Sequence, residues 1–165
     1  MLAQCYSLLH HWNEPGMPAT DYCDTSLEGG AMAELDRVLD RGVGIIAATA
    51  FNAGILVSGA KSDGPPPMCN YRPATQMEKD RTNAMERVCQ AHGVELPAAA
   101  LQFSTAHPAV ASLITGFSSA QEAKQCFSWQ SCDIPTQMWD DLKSERLIHP
   151  DAATPKDGVD VHGLQ

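Results

Sequence analysis

Residues Ala99–Gly116 read AALQFSTAHPAVASLITG, and Ser118–Lys124 follow with SSAQEAK. His107-Pro108 closes a helical segment, because the residue before a proline is driven out of helical backbone. Ala109–Thr115 is then a short apolar run bounded by proline and glycine, which predicts a buried strand. Ser119-Ala-Gln-Glu122 opens the next helix with the S-x-x-E pattern of a capping box. A strand, a glycine turn and a helix N-terminus can hold a phosphate on backbone N–H groups. The same residues also read as an ordinary capped helix start.

Working outward, Val43–Ala48 (VGIIAA) is a continuous apolar run of the kind found in parallel sheets. Ahead of it, Met32, Leu35, Val38 and Leu39 fall on one helical face, and Gly42 supplies the stop. Behind it, Ala50–Gly59 (AFNAGILVSG) is a turn leading into an apolar stretch. Phe51, Asn52 and Gly54 lie in that turn, where glycine lets backbone approach a pyrophosphate and the Asn amide can donate a hydrogen bond. The alternative is a plain strand-to-loop turn.

Lys61–Pro73 reads as a loop rich in proline and glycine. Thr75-Gln-Met-Glu78 is a second capping box, with Met77, Ala84, Met85, Val88 and Cys89 as the stripe of the helix it opens. Gly93 ends that helix, and Pro97 suits the first turn of the next, Ala98 to Ala106. A last helix is expected from Pro135 to Leu147, with Met138, Trp139, Leu142 and Leu147 apolar. Trp139 reads as core. Met1–Tyr6 is a strand fragment or buried start, Trp12–Gly30 a long polar loop, and 149–165 a polar tail expected to be disordered. Strands alternating with helices predict an α/β fold with a parallel sheet built by right-handed crossovers.

With 165 residues, 44 % hydrophobic and 19 % charged, the chain fits one globular domain. A net charge of −9, with 11 scattered Lys and Arg, argues against nucleic acid or an anionic membrane as a partner. No apolar stretch reaches the roughly 20 residues of a membrane span, and no signal-peptide pattern opens the sequence. The cysteines at 5, 23, 69, 89, 126 and 132 form no CxxC pair, so reduced thiols and a cytoplasmic location are expected, with no metal site. His10-His11 reads as a strand-loop junction and His107 as a helix-end residue favoured by the dipole.

Three blocks carry a family resemblance: RGVGIIAATAFNAGIL (Arg41–Leu56), AALQFSTAHPAVASLITGFSSAQEAKQ (Ala99–Gln125) and IPTQMWDDLKSERLI (Ile134–Ile148). Together they resemble the C-terminal half of an aldo-keto reductase, and most of all the aldose 1-dehydrogenase branch that includes L-fucose and L-galactose dehydrogenases. MLAQCYSLLH (Met1–His10) resembles the sixth barrel strand of that family. The resemblance implies a partial (β/α)8 TIM barrel, strands six to eight with their helices, over residues 1–148. The segment 12–30 is longer than the family usually has there, either an insertion or a misjoined gene.

In this family a Tyr acts as general acid, tuned by Lys and Asp, and a His orients the carbonyl. These residues belong to the first half of the barrel, so the resemblance places no catalytic residue on this chain. Tyr6, Tyr22 and Tyr71 lie outside the family's motif. The cofactor cradle does carry over, in the loops after strands seven and eight. It assigns nicotinamide-dinucleotide contacts to Phe51, Asn52 and Gly54, and to Gly116, Phe117, Ser118 and Glu122.

NADP-preferring members carry Lys or Arg around the positions of Gly116 and Glu122. A glycine and a carboxylate there imply NAD rather than NADP. Cys126 replaces the family's Asn near the end of that motif, and Ala48 stands where an aromatic often stacks on nicotinamide.

Two functions follow as expectations. In the first, the chain is a truncated NAD-dependent oxidoreductase that would oxidise a sugar to its lactone only with the missing barrel half, and is inactive alone. In the second, it is a non-catalytic binding or regulatory module derived from the same barrel. Open sheet edges would favour self-association in either case.

Overall fold

The computed structural model describes residues 2–5, 7–9, 35, 37–61 and 65–155. The expected loop at 12–30, His10-His11, Tyr6, Tyr22 and the last ten residues of the tail lie outside them. Three strands form a parallel sheet: β1 (Leu2–Cys5), β2 (Ile45–Ala48) and β5 (Val110–Leu113), in the order β1-β2-β5. The register pairs Leu2 with Ile45 and Cys5 with Ala48, then Ile45 with Val110 and Ala47 with Leu113, with an irregularity between Ile45 and Ile46. The runs expected at Val43–Ala48 and Ala109–Thr115 are thus parallel neighbours, each trimmed at its ends.

Why the strands begin and end where they do is visible in the chain. Helical residues 37–39 stop at Gly42, whose φ of +65° is left-handed backbone that a side chain would strain. Gly42 N–H bonds to the Leu39 carbonyl at 2.9 Å and Val43 N–H to the Val38 carbonyl at 3.0 Å, a Schellman closure that turns the chain into β2. Before β5, His107 is 4 % exposed, and its Nδ1 accepts the Ala109 N–H at 3.2 Å. This histidine caps the end of the preceding helix, as the sequence suggested, and shapes the turn into the strand from a buried position.

Between β2 and β5 come a 3-10 turn (Asn52–Gly54), the short helix α1 (Ile55–Ser58), strands β3 (Met68–Cys69) and β4 (Arg72–Pro73), then helices α2 (Gln76–Ala91) and α3 (Leu96–Ala106). After β5 follow α4 (Ala120–Ser131) and α5 (Thr136–Ser144). Strands β3 and β4 form an antiparallel hairpin inside the segment that reads as a loop. Its two-residue connection, Asn70-Tyr71, has φ of +48° and +61°, as a primed turn requires. The usual Asn-Gly signal is missing because tyrosine occupies the second position.

Leu96 through Ser104 are all buried, so α3 is enclosed on every side, between α2, α4 and the sheet. Ile45 and Ala47 of β2 are buried while Ile46 and Ala48 are half-buried, so one face of the sheet carries the packed layer and the other is more open. The core runs from Ile45, Ile55 and Leu56 through Met85 and Phe103 to Trp139, which is 1 % exposed. The chain does not leave this core at Ile148. Ala152 is 2 % exposed within the same cluster, and its N–H bonds to the His149 carbonyl at 3.0 Å. The first residues of the expected tail, 149–155, therefore pack on the domain.

Candidate functional site

Because β2 and β5 run parallel and side by side, their carboxyl ends open on the same rim of the sheet. The Ile114 N–H bonds to the Ala47 carbonyl at 2.9 Å, which keeps the two strands together up to that rim. The loop after β2 holds Phe51, Asn52 and Gly54, and the loop after β5 holds Gly116, Phe117 and Ser118. A ring contact fastens the two units: Phe51 meets Trp129 of α4 edge-to-face, 6.0 Å between centroids.

The loop after β2 is wound left-handed. Thr49, Asn52 and Ala53 have φ of +59°, +48° and +59°, and Gly54 reaches +108°. Non-glycine residues in this region each cost on the order of 1 kcal/mol unless their surroundings impose it. Part of that imposition is internal: Asn52 N–H bonds to the Thr49 carbonyl at 2.8 Å and Gly54 N–H to the Phe51 carbonyl at 2.9 Å. The rest comes from the hairpin. Asn52 is 1 % exposed, and its side-chain amide donates to Asn70 Oδ1 at 3.3 Å. Its amide is thus turned toward the hairpin.

Behind the hairpin, Glu78 of the expected Thr75–Glu78 capping box is buried and gains a partner the sequence did not signal, Arg72. Arg72 grips Glu78 through two bonds of 2.9 Å, one to each carboxylate oxygen. Thr75 completes the capping box, giving its N–H to Glu78 Oε2 at 2.8 Å and accepting the Glu78 N–H at 3.3 Å. Burial pushes the Glu78 carboxyl up, but the Arg72 guanidinium, the Thr75 N–H and hydroxyl, and the Cys69 thiol outweigh it and hold the group at about 2. Burial and the Glu78 charge push the Cys69 thiol far up, so it is no nucleophile.

At the second loop, Ser119 caps α4 by accepting the Glu122 N–H at 3.2 Å. The capping box stays incomplete, because the Glu122 carboxylate bonds one residue earlier. Ser118 gives it the backbone N–H at 2.7 Å and the hydroxyl at 2.6 Å. Those two bonds hold the exposed Glu122 carboxyl below its usual range. The donors at this helix start therefore already grip an anion, the protein's own. Gly116 lies in open space, Phe117 is 46 % exposed, and Tyr71 sits at the exposed hairpin tip.

Residues 32–145 match the aldo/keto reductase family. This chain belongs to that family. Aldo-keto reductases are oxidoreductases that use nicotinamide cofactors. A pyridoxal 4-dehydrogenase of Microbacterium luteolum is 34 % identical over 134 residues, 76 % of this chain and 38 % of that protein. A D-threo-aldose 1-dehydrogenase of a Pseudomonas species is 34 % identical over 126 residues, 75 % of this chain and 37 % of the relative. An L-galactose dehydrogenase of Arabidopsis thaliana is 28 % identical over 105 residues, covering 63 % and 31 %.

The chain thus spans less than two-fifths of these relatives' length. The structure of an aldo-keto reductase from Bacillus halodurans, in its holo form, superposes with a TM-score of 0.58 at 17 % identity, over 94 % of this chain and 42 % of that one. That likeness supports the fold, a partial TIM barrel. Among the described residues, no three His, Cys, Asp or Glu side chains converge as metal ligands, and no helix is long and apolar enough to cross a membrane.

Proposed function

We propose that residues 1–148 form the dinucleotide-holding part of an NAD-dependent aldose dehydrogenase, one that oxidises a sugar to its lactone when the rest of the barrel is present. The observation that carries this reading is that the Phe51–Gly54 loop and the start of α4 follow neighbouring parallel strands and so share one rim of the sheet. The names of the three relatives, all dehydrogenases, support the direction of the reaction.

A nicotinamide dinucleotide held at this rim would supply the hydride acceptor for oxidation of the substrate carbon. This chain's contribution is binding. Gly54 allows backbone to approach the pyrophosphate, and Gly116, Phe117 and Ser118 line the adenosine side. Glu122, already ionised, accepts from a ribose hydroxyl and repels a 2′-phosphate. No residue here is assigned to take the hydroxyl proton as the hydride leaves, so the chain alone is inactive. The dipole at one exposed helix start is worth about 1 kcal/mol, short of the roughly 4 kcal/mol of a millimolar complex, so NAD binding to this chain is about millimolar at best.

Measuring NAD and NADP binding to the chain and to Glu122→Arg tests the reading. The substitution is expected to move the NADP-to-NAD affinity ratio upward by about tenfold, through a charge-assisted pair with the 2′-phosphate. An unchanged ratio would overturn the placement of the adenosine end at Gly116–Glu122.

A further inference from the structure

The strained loop after β2 is not held by its own residues alone. Asn52 and Ala53 are non-glycine residues in left-handed backbone, at +48° and +59°, directly beside Gly54. The nearest support is the β3–β4 hairpin, whose own turn residues Asn70 and Tyr71 are left-handed as well. A chain of contacts joins the two turns. The Asn52 amide donates to Asn70 Oδ1 at 3.3 Å, and Asn70 lies in the turn that leads into β4, which carries Arg72. Arg72 locks Glu78 bidentately, and the Glu78 side chain is fully buried.

Each member has a fixed place. Glu78 is held at the first turn of α2 by its capping box, and α2 is a 16-residue helix seated on the core. The rigid helix therefore anchors Glu78, Glu78 and Arg72 anchor the hairpin, and the hairpin anchors Asn52.

We propose that the β3–β4 hairpin is a clamp for the cofactor loop, with Asn70 and the Arg72–Glu78 pair as positioning residues that act on a dinucleotide through Asn52. The proposal rests on the reading of Phe51–Gly54 as a cofactor loop. Without the clamp, Asn52 and Ala53 relax toward ordinary backbone, and the loop must be reordered whenever ligand binds. The clamp accounts for an asparagine that is buried in a loop otherwise suited to facing a ligand.

The test uses Asn70→Gly in the full 165-residue chain. Glycine keeps the left-handed turn and removes the acceptor oxygen, so the hairpin survives while its grip on Asn52 is lost. The first readout is amide hydrogen exchange of Asn52 and Gly54 without ligand. Both are expected to exchange about 3- to 10-fold faster, the equivalent of one hydrogen bond, with the amides of Met85–Cys89 unchanged. Asn70→Asp retains the acceptor and is expected to restore protection. Unchanged exchange in Asn70→Gly, or equally fast exchange in Asn70→Asp, would overturn the clamp.

The second readout is NAD affinity, expected to fall by about the same 3- to 10-fold with the melting temperature unchanged. If NAD binds Asn70→Gly as it binds the unaltered chain, the positioning role is overturned. If the unaltered chain shows no response to NAD at all, the cofactor-loop reading fails, and the exchange data still decide whether the clamp exists.

Discussion

Glu78 is the residue on which charge and stability meet. Its carboxyl titrates at about 2 in the folded protein against an ordinary 4.5. A depressed folded value means that the unfolded chain takes up the proton first. The stabilisation is full above pH 4.5 and is lost as the pH falls toward 2, about 3 kcal/mol in all. Glu78→Gln keeps an acceptor for Thr75 but breaks the bidentate hold of Arg72, and is expected to cost about 2–3 kcal/mol at pH 7. Urea unfolding at pH 7 and pH 3 checks both points: the gap between the two proteins should narrow at pH 3, and a gap that stayed constant would contradict the pairing. Arg87 and Glu145 make the contrast. Their closest approach is shorter, 2.5 Å, but Arg87 is 63 % exposed, so Arg87→Ala should leave the urea midpoint at pH 7 essentially unchanged.

At the scale of elements, the anchor between the last helix and the core is Trp139. Its ring lies 6.3 Å from that of Phe103, at 32°, and it is 1 % exposed. Trp139→Ala is expected to cost about 3–5 kcal/mol, and a melting curve that lost less than about 1 kcal/mol would show α5 to be peripheral. This helix was legible in the sequence because Met138, Trp139 and Leu142 fall on one face, as were the Thr75 cap and strands β2 and β5. The hairpin was not legible. Strands of two residues carry no periodicity, Pro65–Pro67 signal a loop, and tyrosine at Tyr71 hides the turn. Both candidate loops follow the strands expected to precede them, β2 and β5. What pattern could not show was direction: that Asn52 faces the hairpin, and that Glu122 reaches Ser118 and leaves the Ser119 N–H alone. Side-chain orientation depends on neighbours remote in sequence, here Asn70, eighteen residues from Asn52.

For the whole molecule, the order β1-β2-β5 leaves β1 and β5 at the edges of the sheet among the described residues. Ile114 is 60 % exposed and Phe127 73 % exposed, and α4 has no buried residue. Unpaired strand edges beside exposed apolar side chains favour association. The isolated chain is therefore expected to self-associate with rising concentration, which light scattering reads directly; a strictly monomeric chain at millimolar concentration would contradict this. Pure chain supplied with NAD and L-galactose is expected to give no turnover.

The most direct test of the central claim is a titration of the isotope-labelled chain with NAD, followed by backbone amide resonances. The amides of Phe51–Gly54 and of Gly116–Ala120 are expected to shift together, with one millimolar-range binding curve. Shifts confined to other surfaces, or movement of one loop without the other, would contradict a dinucleotide held between them.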